Sequence, residues 1–152
     1  MPNERFRRCI RCGSEIDDAQ EFLYCANCRE SELTRERLRV QMHNTRAAQA
    51  GLPADLTLEQ WLETIMDFNG MCAYCQERPF EHLEHFIPID AGGGTTLGNC
   101  VPACGRCNWS KGSSDPDLPQ LEFFVNNPRE RVRDYLIRRA DSAEEERWTE
   151  DW

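Results

Sequence analysis

The chain has 152 residues, a formal net charge of −9 and nine cysteines. This length suits one ordinary domain or two small ones and excludes a large apolar core, and small domains often compensate with bound metal. No apolar stretch is long enough to span a bilayer, and the polar start of the chain lacks the apolar run of a signal peptide. We therefore expect a cytoplasmic protein without a membrane partner, whose cysteines bind metal rather than form disulfides.

The first four cysteines form two Cys-x-x-Cys pairs: Cys9, Cys12, Cys25 and Cys28. Gly13 follows the first pair and suits the tight turn that points backbone N–H groups at a thiolate. Four cysteines at this spacing indicate a structural zinc site, because four ligands leave no coordination position open for chemistry. Unpaired or redox-active thiols are the alternative. We assign residues 1–29 to a four-cysteine zinc module.

Two helices are predicted next. Residues 30–50 contain no Gly or Pro, so we expect a helical linker over residues 30–53. Basic side chains fall near one face of this helix at Arg35, Arg39, His43 and Arg46. They form either a stripe that contacts phosphates or a solvated face partly paired with acidic neighbours. Thr57 with Gln60 is a capping-box pattern that predicts a second helix to residue 68, with a core-facing apolar stripe: Leu58, Trp61, Leu62, Ile65 and Phe68.

The second set of cysteine pairs brackets two short strands and a helix. These pairs predict a second four-cysteine zinc site: Cys72, Cys75, Cys104 and Cys107. We expect the strands over residues 83–89 and 99–103 and the helix over residues 105–113. The glycines at positions 92–94 predict a hairpin loop, because the Gly-Lys-Ser/Thr continuation of a phosphate-binding loop is missing. Cys100 is left over and is interpreted as a small buried hydrophobe.

The last part of the chain predicts an amphipathic basic helix over residues 127–139. Its inward side chains are expected to be Val132, Tyr135 and Leu136. Residues 141–152 are rich in acidic side chains, and we expect this acidic tail to fray.

The groups between the second cysteine pairs suit phosphodiester hydrolysis, which needs an activated water and stabilisation of charge on the phosphate and leaving oxygen. The ordinary pKa of imidazole suits His85 to be a general base near neutral pH. Glu84 precedes it, and on a strand the two side chains diverge, so that one can hold metal while the other faces water. Asn108 offers a second oxygen ligand. Lys111, one helical turn further on, is placed to contact a phosphate.

These motifs together resemble the HNH endonuclease family, in the form stapled by two Cys-x-x-Cys pairs. The resemblance is carried by residues 72–75, 83–88, 92–94, 98–102 and 104–111. It implies an α+β fold, with a small zinc-stabilised ββα-metal core and flanking helices in residues 54–140. It also implies that His85 activates water, that Glu84 and Asn108 bind one divalent metal, and that Asn99 orients His85 and braces the hairpin. The family's usual Asp and final His are Glu84 and Asn108 here, a change that favours Mg²⁺ or Mn²⁺.

We therefore expect a metal-dependent DNA endonuclease with two structural zinc ions and one catalytic Mg²⁺ or Mn²⁺, from a bacterial or phage context. The predicted nucleic-acid contacts are Lys111, Arg35, Arg39 and Arg46. The acidic net charge and the two departures from the family pattern leave a second hypothesis open, a non-catalytic zinc-stabilised DNA-binding or adaptor module. One active site per chain needs a dimer, or two events, to cut both strands, so the oligomeric state is open.

Overall fold

The computed structural model describes residues 8–16, 23–111 and 128–150. Helix α1 (Ala26–Gln49) and helix α2 (Leu58–Asp67) precede strand β1 (His82–His85), strand β2 (Cys100–Ala103), helix α3 (Gly105–Lys111) and helix α4 (Pro128–Glu150). Strands β1 and β2 with helix α3 form the predicted ββα unit, and the fold is α+β. Within the described ranges, no helix combines the length and the apolar character needed to cross a bilayer.

The two strands pair antiparallel, with His85 opposite Cys100 and Glu84 opposite Val101. Because neighbouring residues of a strand point to opposite faces, Glu84 and His85 face different sides of the hairpin. One core cluster joins Leu83 and Cys100 of the hairpin to α1 and α2. A second cluster packs Val101 with the second cysteine set and α4. The hairpin therefore separates two small cores, the first on the side of His85 and the second on the side of Glu84.

Helix α2 confirms the local signals read from the sequence. The Thr57 side chain accepts from the Gln60 backbone N–H, and the Gln60 side chain accepts from the Thr57 backbone N–H, both at 3.1 Å. Trp61 and Ile65 are fully buried. The helix ends where Asn69 and Gly70 adopt left-handed backbone angles, with φ of 56° and 73°. The cap and the stop thus fix the helix ends, and the apolar stripe fixes its buried face.

Helices α1 and α4 are longer than predicted. Helix α1 begins at Ala26, with Cys25 as its N-cap, and so passes through the predicted boundary at residue 29 without a break. Helix α4 continues to Glu150 instead of fraying after residue 140, since Ala, Glu and Arg favour helix. Strand β1 ends at His85, because the chain turns into a short 3₁₀ helix at Ile89–Ala91. The predicted end of α3 at Ser113 lies outside the described residues, and the division into domains stays a prediction.

The glycine loop between the strands is a tightly packed turn. Gly92 has a left-handed φ of 95°. A Cβ on Gly93 would lie 1.7 Å from the carbonyl oxygen of Ile87, and one on Gly94 would lie 2.5 Å from the carbonyl oxygen of Pro53. Glycine is therefore required at both positions by the close approach of backbone. This packing agrees with the hairpin-loop interpretation.

Candidate active site and metal centres

Both predicted cysteine sets come together in the structure. Within each set the four sulfur atoms lie within 4.8 Å of one another: Cys9, Cys12, Cys25 and Cys28 in the first, and Cys72, Cys75, Cys104 and Cys107 in the second. Tetrahedral zinc with Zn–S bonds of about 2.3 Å needs sulfur atoms about 3.8 Å apart. The Sγ–Sγ distances are 3.7 Å between Cys12 and Cys25 and 3.9 Å between Cys75 and Cys104. Each set can therefore hold a structural zinc ion with no further ligand.

The ninth cysteine does not belong to either set. Cys100 is 1 % exposed and packs in the core beside β1. Burial raises the pKa of the Cys100 thiol to about 12, so the group stays neutral. It is a small apolar side chain of the core, as the sequence predicts.

A cleft of about 340 Å³ lies beside β1. Its lining includes all three histidines of the chain, one acidic residue of β1, one asparagine of α3 and further polar residues from α1 and the 3₁₀ turn: His43, His82, His85, Glu84, Asn108, Arg46 and Asp90. The cleft thus brings together the three predicted residues Glu84, His85 and Asn108. Apart from the two cysteine sets, the described part of the chain has no group of three or more His, Cys, Asp or Glu ligand atoms this close. The Glu84 carboxylate and the Asn108 amide could hold Mg²⁺, which usually takes one or two protein carboxylates and keeps several waters.

His85 is buried against the loop and helix α1. Its Nε2 atom lies 2.8 Å from Oγ1 of Thr95. The Thr95 hydroxyl in turn donates to the backbone carbonyl oxygen of His43 at 2.9 Å. The His43 ring meets the His85 ring edge-on, with centroids 5.2 Å apart. The imidazole of His85 therefore has its orientation fixed from two directions.

Glu84 is directed toward the other core and is only 4 % exposed. The Tyr74 hydroxyl donates to its Oε2 atom at 2.5 Å. Burial, and then the charge of Glu84, raises the pKa of Tyr74 well above its usual value, so the phenol stays protonated and keeps donating. Arg131 of α4 donates to the carbonyl oxygens of Ala73 and Tyr74 at 2.9 and 2.8 Å and so links α4 to the turn between Cys72 and Cys75. The structure thus holds the Glu84 carboxylate through Tyr74.

Asn99 closes the loop between the strands. Its Oδ1 accepts from the Ile87 backbone N–H at 2.8 Å, and its Nδ2 donates to the carbonyl oxygens of Ile87 at 3.0 Å and Gly94 at 2.8 Å. Two of these bonds go to the backbone of Ile87, just beyond His85, and the third goes to the glycine loop. The amide therefore braces the hairpin, and it reaches His85 through the backbone.

The four predicted basic contacts lie in different surroundings. Arg46 is exposed and lines the cleft, and Arg35 is exposed on α1 away from it. The Arg39 Nε lies 3.6 Å from Oε2 of Glu36, and its guanidinium lies 5.4 Å from the centroid of the Phe80 ring. Arg39 is thus partly paired with an acidic neighbour while Arg35 and Arg46 are exposed, and a contact of these groups with phosphates stays a prediction. Lys111 ends α3, and its side chain lies outside the described part.

Three side chains at the site were missed by the sequence analysis. His43 was predicted only as part of the basic face of α1, but it is 9 % exposed and lines the cleft. Burial first, and then the charges of Arg46 and Arg39, lower its pKa to about 4, so it is neutral at neutral pH. His43 lies three residues after Val40 and four before Ala47, and this helical spacing could have predicted its place on the buried face of α1. No sequence signal marked Thr95 or Tyr74, because their roles depend on tertiary packing.

Two antiparallel strands and a helix, stapled by four cysteines and bordering a cleft with acid, imidazole and amide groups, define the ββα-metal class of zinc-stabilised folds. Residues 72–114 match the model of the family described as HNH endonuclease. The chain is also 29 % identical over 83 residues to the Septu protein PtuB of Bacillus thuringiensis, covering 48 % of this chain and 32 % of the relative. The chain thus spans about a third of that relative's length. Residues 72–114 are therefore similar to the domain of HNH endonucleases.

Proposed function

We propose that the protein is a metal-dependent endonuclease that hydrolyses DNA phosphodiester bonds in the cleft beside β1. The observation that carries the proposal is that Glu84, His85 and Asn108 all border one cleft inside the segment that matches the HNH family. By resemblance to that family, the products carry 5′-phosphate and 3′-hydroxyl ends.

In the proposed reaction His85 takes a proton from the attacking water, which its fixed imidazole can do without reorganisation. Glu84 and Asn108 hold one Mg²⁺ or Mn²⁺ ion. When bound, the ion supplies positive charge that stabilises the phosphate and the leaving oxygen. Asn99 keeps the hairpin closed around His85, and Tyr74 holds the Glu84 carboxylate. The chain's own contribution is thus a preorganised base and an oxygen-donor pair.

The approach of DNA is proposed to involve Arg46 at the cleft, with Lys111, Arg35 and Arg39 as further predicted contacts. Arg46 has the strongest support, because it is exposed and lines the cleft. Arg39 has less, because its guanidinium is paired with Glu36. We propose a cytoplasmic protein with zinc in both cysteine sets, and a dimer or two successive events for cutting both strands.

The test is cleavage of supercoiled plasmid by the zinc-loaded protein with Mg²⁺ or Mn²⁺, beside an EDTA control. His85→Ala removes the proposed base, and we expect nicking or linearisation to fall by about 10²- to 10⁴-fold. The matched comparison is His82→Ala, which removes another imidazole of the same cleft, and we expect it to lose much less. Equal losses in the two variants would contradict the assignment of His85 as the base.

A second candidate, a non-catalytic zinc-stabilised DNA-binding or adaptor module, is favoured by the burial of Glu84 against Tyr74. In such a module the carboxylate stabilises the fold and holds no divalent ion. The same plasmid experiment separates the two functions. DNA binding by the wild-type protein and by His85→Ala, with no cutting under any divalent metal, would establish the binding module.

A further inference from the structure

Thr95 is anchored on several sides. Its side chain is fully buried. Its backbone N–H donates to the carbonyl oxygen of Pro53 at 2.9 Å, and its carbonyl oxygen accepts from the Leu56 N–H at 3.1 Å. Gly94, just before it, lies so close to Pro53 that any Cβ would overlap. These contacts hold the Thr95 hydroxyl in one place behind His85.

The hydroxyl makes two hydrogen bonds whose directions follow from chemistry. The carbonyl oxygen of His43 can only accept, so the Thr95 hydroxyl donates its one hydrogen to it, at 2.9 Å. Toward Nε2 of His85, 2.8 Å away, Thr95 Oγ1 can then only accept. Nε2 therefore carries the proton, and the neutral ring has its basic lone pair on Nδ1.

We propose that Thr95 is a positioning residue that fixes the tautomer and the orientation of His85, with the α1 backbone at His43 setting the direction of both hydrogen bonds. The catalytic consequence rests on the proposed function, because a general base must turn a lone pair toward its water. Thr95 acts only through His85. Asn99 is different, since it bonds to the backbone beyond His85 and leaves the choice of tautomer to Thr95.

Helix α1 completes this arrangement from outside the matched segment. The carbonyl group that fixes Thr95 belongs to His43, 52 residues away in the chain. The His43 ring also packs edge-on against His85, at an interplanar angle of 64°. Residues 72–114 alone therefore lack the group that orients the Thr95 hydroxyl.

The tautomer can be read directly by NMR. Long-range ¹H–¹⁵N spectra of the ¹⁵N-labelled, zinc-loaded protein are recorded at about pH 8, above the ordinary imidazole pKa of about 6.5. His85→Gln identifies the His85 signals by their loss. We expect a protonated-type shift at Nε2 and an unprotonated-type shift at Nδ1. A proton on Nδ1, alone or together with Nε2, would overturn the proposal.

Kinetics of two variants test the consequence. Thr95→Val keeps the size of the side chain but removes the hydroxyl, and we expect kcat for plasmid cleavage to fall about 10- to 100-fold with little change in KM. Thr95→Ser keeps the hydroxyl and is expected to restore most of kcat and the wild-type ¹⁵N pattern. Wild-type kcat in Thr95→Val would overturn the proposal.

The two proposals fail separately. If the wild-type protein cuts no DNA, the proposed function is lost, and the ¹⁵N spectrum still decides whether Thr95 sets the tautomer. If Thr95→Val does not fold, as judged by its zinc content and thermal unfolding, the wild-type and Thr95→Ser spectra decide the tautomer in its place.

Discussion

The two cysteine sites are built on the same plan. In each, the residue after the first Cys-x-x-Cys pair has a left-handed backbone, Gly13 with φ of 77° and Gln76 with φ of 55°. In each, the second pair lies at the start of a helix, at Cys25 before α1 and at Cys104 before α3. The sites therefore share one solution for turning a chain around four sulfur atoms.

What differs is the chain between the pairs. Residues 13–24 separate the pairs of the first site, whereas residues 76–103 separate those of the second and include both strands. The second site is also more buried, because three of its four cysteines are buried and only one of the first set is. The comparison teaches that the cysteines supply a scaffold, while the candidate chemistry is carried by the hairpin inserted between the pairs.

The largest effect is expected from removing one cysteine ligand of each zinc site in turn. A structural zinc site contributes on the order of 10 kcal/mol, comparable to the whole stability of a small domain. Cys104→Ser should therefore unfold the hairpin and α3, and abolish cleavage. Cys12→Ser, at an exposed ligand, should lose the other zinc ion but leave part of the activity, because α1 stays packed through Trp61 and Glu36. Zinc content, thermal unfolding and plasmid cleavage measure this, and equal losses in both variants would contradict the comparison.

A smaller effect is expected from a substitution of Glu84, which separates a role in binding the divalent ion from a role in stability. Glu84→Gln keeps an oxygen that can accept from Tyr74 but removes the charge that the divalent ion needs. We expect cleavage to fall by about 100-fold or more, with two zinc ions retained and the unfolding temperature nearly unchanged. Tyr74→Phe is the companion variant, and its expected loss is about 10-fold, largely recovered at high Mg²⁺. Full activity in Glu84→Gln would show that the carboxylate belongs to the scaffold.

The smallest effect concerns the contact between α1, which begins at the first cysteine site, and α2, which precedes the second. Trp61 Nε1 donates to the Glu36 carboxylate at 2.7 Å in the buried interface of α1 and α2. Burial is the main cause that raises the pKa of Glu36. The folded state thus binds this proton more tightly than the unfolded chain, so the associated stabilisation is complete below the unfolded pKa of about 4.3 and is lost as pH rises through the folded pKa.

Glu36→Gln keeps an acceptor for Trp61 without a charge. Its free energy of unfolding relative to wild type should therefore increase as the pH is raised from about 4 toward neutrality. Urea unfolding at several pH values measures the difference. A difference that stays flat, or that declines as the pH rises, would mean that the Arg39 pairing at 3.6 Å outweighs the cost of burying the charge.

The sequence predicted the features that depend on local spacing. The two cysteine sets, the capping box at Thr57 and the glycine loop each follow from residues that are close together or of fixed geometry. Glu84, His85 and Asn108 border one cleft. Their chemical roles stay predictions until cleavage is measured.

The contacts that orient these groups could not be predicted. The bond from Thr95 to His43 joins residues 52 positions apart and depends on how α1 packs against the loop. Tyr74 stands between two cysteines, where the motif accepts any residue. The prediction for β1 extends too far for a simpler reason, because the strand ends at His85 and the chain then turns toward the 3₁₀ helix at Ile89–Ala91.

The carbonyl group of His43 has a consequence for how the matched segment can be transferred to another protein. A motif is recognised by its side chains, but here one of the supporting groups is a backbone atom of a helix far upstream, which any sequence can supply if the helix is placed correctly. Grafting residues 72–114 onto another chain would transfer the recognisable pattern without that atom. We therefore expect the smallest transplantable unit to begin at or before α1.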